Sequence, residues 1–420
     1  MKHSKQSVRD RNKLLEAVNT EVTARLEQSL HKAIQIHILK EEKPQPIPRL
    51  WDVDVKIGKR PTVRLSPQIT ISQVFRQSSG KLLILGSQGG GKTTTLLELA
   101  QDLVEIAQAN FEQPVPVILN LGTWKNNKQS IPDWLIAEIK AKYELPLNSI
   151  KLLVNNQLIS PLLDGLDELD LGQQELCLRA INQWLNSENR PKNMAVCTKL
   201  EDYKKCRTKL RLHGATFLHP LHEQQIQKYL VGCRSKELWE VLKEEPQFLE
   251  LAKNPLLLNI MILAYEELLI QAWKRLNSDR ERREYLLNAF VRRMLTWNLK
   301  SLYYREGKEP RPEKARPWLV YLATKMNAAK ETEVEPDKLD KTWLQTSGQK
   351  SFYRLWMILT FGGLLGMKKF VLRRILSKNQ CMPWNYSQFY NYATERFLLQ
   401  KVGDKYRFVH EVLQEHIAKM

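Results

Sequence analysis

Leu82-Leu83-Ile84-Leu85-Gly86-Ser87-Gln88-Gly89-Gly90-Gly91-Lys92-Thr93-Thr94-Thr95-Leu96-Leu97 decides how this chain is read. The four apolar residues at its start form a short buried strand. The G-x-x-x-x-G-K-T stretch from Gly86 to Thr93 follows, and Thr94–Ala100 is helix-forming. Strand, glycine loop and helix in that order are the setting of a phosphate-cradling loop. Glycines at Gly86, Gly89, Gly90 and Gly91 let backbone N–H groups turn inward around a phosphate, with Ser87 and Gln88 between them and Thr94 just beyond. The helix start adds its partial positive charge. Lys92 has the reach for β- and γ-phosphates, and the Thr93 hydroxyl suits Mg²⁺.

About seventy residues further on stands Ile159-Ser160-Pro161-Leu162-Leu163-Asp164-Gly165-Leu166-Asp167-Glu168, an apolar strand that ends in carboxylates. A buried parallel strand reads as such a run, and its C-terminal end faces the ligand crevice. Asp164 at that edge is the second Mg²⁺ residue, bound directly or through water. Asp167 and Glu168 are the candidate catalytic pair, positioned to orient an attacking water. The expected cofactors are therefore ATP or ADP and Mg²⁺.

These residues resemble the NACHT family of signal-transduction NTPases, in the form common among bacterial and especially cyanobacterial proteins. Leu82–Gly86 and Thr93–Ala100 match that family's loop flanks, and Leu162–Leu169 matches its acidic motif. Met194-Ala195-Val196-Cys197-Thr198-Lys199 looks like its sensor strand, which the family usually ends Thr-Ser-Arg, so the resemblance puts Lys199 beside the nucleotide. Asn254-Pro255-Leu256-Leu257-Leu258 resembles the motif whose proline packs on adenine, which assigns that role to Pro255. Phe408-Val409-His410-Glu411 resembles the winged-helix motif whose histidine touches the ADP β-phosphate, which assigns it to His410. The resemblance runs from about residue 10 to the C-terminus. It implies an ATP/ADP-operated switch with slow hydrolysis, acting in signalling or defence through nucleotide-dependent self-association.

With 420 residues and 43% hydrophobic content, the chain can bury two or three cores. Five scattered cysteines form no C-x-x-C pair and eight histidines no metal-spaced cluster, so neither a disulfide framework nor a zinc site is expected. The start is polar, without a signal peptide pattern, and a reducing cytoplasm is the expected compartment. The balance of 65 basic to 46 acidic residues gives +19. Such an excess favours weak, non-specific contact with nucleic acid or an anionic membrane, or leaves a set of solvated helix faces. A nucleic-acid-binding ATPase and a nucleotide-binding scaffold without turnover are the alternative functions. An effector or sensor protein partner is expected, because no repeat array or recognisable effector accompanies the NTPase motifs.

The pattern predicts a parallel α/β sheet of the P-loop NTPase kind with helices on both faces, then a helical domain and a winged-helix domain. Residues 1–60 read as an N-terminal helical segment and linker, 61–215 as the nucleotide-binding domain, 216–311 as helical, and 312–420 as winged helix. Within 1–60, Leu14, Leu15, Val18, Val22, Leu26, Leu30 and Ile34 form one helical stripe that packs on the next domain or binds a partner. Strands are expected at 82–85, 115–119, 158–163 and 194–197. Helices are expected at 173–185, 248–269, 282–304, 318–326, 386–399 and 411–418, with a wing at 406–408. A short apolar insert near 352–367 is too short to span a bilayer, which needs about twenty residues. A buried helix or hairpin, or an interfacial contact, is expected there.

Overall fold

The computed structural model describes residues 5–38, 53–58, 63–64, 69–125, 128–344, 346–359 and 365–420. Their contacts form two units, one of Met1–Leu26, Pro46–Gly232 and Phe248–Leu258, the other of Glu27–Gln45, Cys233–Gln247 and Asn259–Met420. Residues 41–48, the proline-punctuated part of the linker expected within 1–60, lie outside the described residues.

The first unit is built on a seven-stranded sheet. Its strands are β1 (Val53–Ile57), β2 (Val63–Arg64), β3 (Lys81–Gly86), β4 (Val115–Asn120), β5 (Ile159–Asp164), β6 (Met194–Lys199) and β7 (Gly214–Leu218), in the order β2-β1-β7-β3-β6-β5-β4. Strands β3 to β7 are parallel, and β1 and β2 add an antiparallel edge. The four expected apolar runs are β3 to β6, each buried almost throughout, as parallel strands covered on both faces must be. β1 falls in the segment read as a linker, because Asp54 and Lys56 break its apolar run at an edge buried only at Val55. β7 carries Gly214, Ala215 and Thr216, too little apolar bulk for the pattern to register. One strand, β6, separates the strand that leads into the glycine loop from the strand that ends in Asp164. The fold is that of a P-loop NTPase.

The described helices of this unit begin with α1 (Lys5–Glu27); α2 (Leu30–Ile38) starts the second unit's share of the chain. The single stripe expected over 6–40 is thus broken, because Ser29 accepts the Lys32 N–H at 3.3 Å and starts a new helix. Next come α3 (Ile71–Gln77), α4 (Lys92–Ala109), α5 (Ile131–Tyr143), α6 (Leu147–Asn155), α7 (Leu171–Leu185), α8 (Leu200–Lys205) and α9 (Glu223–Gly232). α1 buries Leu14, Leu15, Val18 and Val22 in the same core as the sheet. Its buried Arg11 donates to Ala107 O at 3.0 Å and Gln113 O at 2.8 Å, supplying a cation at the C-terminal end of α4. The α1 stripe is therefore a packing face of the first unit's core.

The chain continues through α10 (Lys236–Glu244), α11 (Pro246–Ala252), α12 (Pro255–Ala264), α13 (Ile270–Lys274) and α14 (Asp279–Thr296). The long helix expected over 248–269 is interrupted at Asn254, whose side chain accepts the N–H groups of Leu256 and Leu257 at 3.0 and 3.3 Å. An Asn cap before a proline at the first helical position is a new helix start. α14 begins earlier than expected, in a Ser278/Glu281 capping box, and ends before Trp297.

The rest of the second unit holds α15 (Pro312–Ala329), α16 (Ser347–Leu359), α17 (Leu365–Lys378), α18 (Tyr386–Glu395), the hairpin β8 (Leu399–Val402) and β9 (Lys405–Phe408), and α19 (Glu411–Ile417). Val334 bridges to Tyr406 as a third edge of the hairpin. α15 packs on α19 and α18 on β8, over a core that includes Phe389, Tyr390 and Tyr392. This is a winged helix, with Tyr406-Arg407-Phe408 in the wing's return strand. The helix expected to run to Leu399 stops at Glu395, and Phe397 turns the chain into β8 with a positive φ of 53°.

Candidate functional site

The C-terminal edge of the parallel strands gathers most of the sequence-predicted residues. Gly86 at the end of β3 stands in register with Lys199 at the end of β6, and Asn120 at the end of β4 with Asp164 at the end of β5. The glycine loop leaves β3 at this edge and enters α4 at Gly91, which offers no side chain to cap the helix. The first-turn N–H groups of α4 are therefore left to whatever the loop encloses.

Inside the loop, Gly90 N–H donates to Ser87 O at 3.1 Å and makes the turn. Gly89 has a φ of +74°, and a Cβ there would stand 2.7 Å from Asn254 Oδ1 and 2.9 Å from Leu256 Cβ. Only glycine fits both demands. The close approach exists because Asn254 Nδ2 donates to Gln88 O at 2.8 Å and Leu256 N–H donates to Gly89 O at 3.2 Å. The structure thus brings Asn254 and Leu256, on either side of Pro255, against the loop. Lys92 Nζ donates to Ser87 O at 2.9 Å and Gly86 O at 3.4 Å, so its ammonium lies across the loop's own carbonyls.

Thr93 and Asp164, the two predicted Mg²⁺ residues, meet directly: Thr93 Oγ1 donates to Asp164 Oδ2 at 2.7 Å. Asp164 Oδ1 accepts the Gly165 N–H at 3.0 Å. Two oxygen ligands held together at the start of a helix suit a hard cation bound with water and phosphate oxygens. Thr94 is half-buried in the first turn of α4 beside them.

The two acidic candidates have different surroundings. Asp167 is engaged at both oxygens by Lys199, whose N–H donates to Oδ1 at 3.2 Å and whose Nζ pairs with Oδ2 at 3.2 Å. Glu168 Oε2 accepts from Asn120 Nδ2 at 2.8 Å. The Glu168 carboxylate lies over two glycines: a Cβ on Gly122 would reach within 2.7 Å of Oε2, and one on Gly165 within 2.8 Å of Oε1. Gly165 also holds a φ of +73°, which turns the chain from β5 into the short helical turn Leu166–Glu168. Asn120 in turn accepts the Gly122 N–H at 2.7 Å, fixing its own orientation. Asn120 and Asn254 are site residues that sequence reasoning missed. The one available signal for Asn120 was a polar residue directly after the Val115–Leu119 run.

Beneath the loop, Cys197 Sγ approaches Lys92 O at 3.8 Å. Burial, helped by Asp164, pushes its thiol well above the usual range, so it stays protonated and inert. His410 belongs to the second unit. It is the N-cap of α19, and its Nδ1 accepts the Val412 N–H at 3.1 Å. A neutral ring in that arrangement carries its proton on Nε2.

No protein-family model and no curated protein matches this chain. Among solved structures, the chain is similar to a crystal structure of Cdc6p from Pyrobaculum aerophilum, with 12% identity and a TM-score of 0.30 over 80% of this chain and 86% of that one. It is also similar to the ORC2 protein of Aeropyrum pernix in ADPNP-ADP complexes, with 13% identity and a TM-score of 0.27 over 81% and 87%. Superpositions this loose carry no argument about function.

Proposed function

We propose that this protein is an ATP-hydrolysing switch of the NACHT type, which binds ATP or ADP with Mg²⁺ and changes its self-association with the nucleotide, in cytoplasmic signalling or defence. The observation that carries the reading is the 2.7 Å contact between Thr93 and Asp164 beside an uncapped helix start and a glycine loop. These residues fit a Mg²⁺–nucleotide, which when bound supplies the phosphoanhydride bond and the cation that polarises it. Gly86–Gly91 would hold the phosphates through backbone N–H groups, Lys92 would exchange the Ser87 and Gly86 carbonyls for phosphate oxygens, and Thr93 with Asp164 would hold the Mg²⁺. Pro255, set against the loop by Asn254, would face the base.

Of the two acidic candidates, Glu168 is the one we assign to orienting water, because Asn120 holds its carboxylate over Gly122 and Gly165, directly after Asp164. Asp167 spends both oxygens on Lys199, and we assign that pair to joining the β5 edge to β6. Lys199 keeps a cation close to the loop, in register with Gly86. The family resemblance assigns His410 to retention of ADP. The direct test is nucleotide titration with and without Mg²⁺, followed by phosphate release. Mg²⁺-dependent binding with slow turnover supports the reading, and absence of nucleotide binding discards it.

A further inference from the structure

From residue 341 to 394 the chain holds no Asp or Glu but eight Lys or Arg. Two helices of this stretch, α16 and α17, pack on each other. α17 is anchored by buried Val371, Leu372, Ile375 and Leu376, and turns Lys368, Lys369 and Arg374 outward. α16 is different. From Lys350 to Met357 none of its side chains is fully buried. Phe352 is 48% exposed, Leu355 54% and Trp356 37%, at the i, i+3, i+4 spacing that puts them on one face. Phe370 and Trp384 add a half-exposed aromatic pair, ring to ring at 5.5 Å. Lys350 and Arg354, both exposed, lie on the opposite face of α16 from that stripe.

We propose that this face seats on an anionic lipid surface. Phe, Leu and Trp on one face of a helix, with Lys and Arg on its other, polar face, are the composition of an interfacial helix. The charge is complementary to a negative headgroup layer across the whole stretch, without one acidic residue to oppose it. A polyanion such as DNA would satisfy the cations but has no use for an exposed Leu355 and Phe352. A second copy of this chain would set eight further cations against these eight. No single helix among the described residues is long and apolar enough to cross a membrane, so the contact is peripheral.

The test is flotation of the full chain with vesicles of phosphatidylcholine alone and of phosphatidylcholine mixed with phosphatidylserine. The chain is expected to float with the mixed vesicles only. Lys368→Ser, Lys369→Ser and Arg374→Ser together should weaken partition about a hundredfold, since each basic residue near such a surface contributes about fivefold. Phe352→Ser with Leu355→Ser should weaken it at least about tenfold. All five positions are exposed, so the fold is not at stake. A control triple, Lys140→Ser, Lys151→Ser and Lys192→Ser, removes the same charge from exposed positions elsewhere and should change partition by less than about twofold. Equal loss in the control triple would reduce the effect to net charge and overturn the proposal. So would equal flotation with both vesicles, flotation with neither, or duplex DNA binding that displaces the vesicles and ignores the Phe352/Leu355 change.

Discussion

At the scale of single residues, the proposed function gives three side chains separable parts of the chemistry. Lys92→Ala removes the ammonium that lies across the loop and should weaken ATP binding about a hundredfold, read by calorimetric titration. Glu168→Gln should bind Mg²⁺–ATP normally and release phosphate at least about a hundredfold more slowly. Asn120→Ala frees the Glu168 carboxylate from its orienting donor and should slow turnover about tenfold with unchanged nucleotide affinity. If Asp167→Asn proves more damaging to turnover than Glu168→Gln while affinity is kept, the roles of the two carboxylates are reversed. The loop and Asp164 were legible in the sequence because their chemistry is written in consecutive residues. Asn120 and Asn254 were not, because each acts through a strand register or a long-range contact that consecutive residues do not express.

At the scale of elements, α1 shows which part of an amphipathic pattern a sequence reveals. Its apolar stripe was readable from spacing alone, and Leu14, Leu15, Val18 and Val22 are buried as that spacing requires. Its polar anchors were not readable, since Arg11 and Glu21 look like any solvated helix charge. Glu21 is buried and accepts from Lys142 Nζ and Tyr143 Oη, both at 2.7 Å, while Lys142 also donates to Ile118 O of β4. Burial alone would raise the Glu21 carboxyl, but Lys142 and Arg25 together hold it below its ordinary value of 4.5. A carboxyl lowered by folding adds stability above its unfolded value, and that stability disappears as the pH falls through the lowered folded value. Glu21→Gln should therefore cost about 3 kcal/mol at neutral pH, because it leaves Lys142 and Arg25 without their buried anion. The same variant should also show a flatter loss of stability on the acid side. Denaturant unfolding at neutral and acid pH measures both. An unchanged midpoint at neutral pH would mean that α1 is held by its apolar stripe alone.

At the scale of the whole molecule, a parallel sheet was implied by alternating strands and helices, and four of its strands were read directly from apolar runs. The antiparallel edge and the parallel β7 were not, because β1 alternates charge with apolar residues and β7 is small and mixed. The winged helix was legible from its aromatic-rich helices and from the return strand at Tyr406–Phe408. The proposed switch requires a difference in nucleotide affinity between two states of the chain, since a ligand that binds both equally shifts neither. His410→Ala should raise the rate at which ADP leaves if that residue helps retain it, a change read by the release of a fluorescent ADP analogue. Light scattering of the full chain on a sizing column, in Mg²⁺–ADP and in a Mg²⁺-bound non-hydrolysable ATP analogue, tests the switch itself. The switch predicts the mass of one chain with ADP and a multiple of it with the analogue, lost again in Lys92→Ala. The same mass in both nucleotides, with binding of each established, would contradict it.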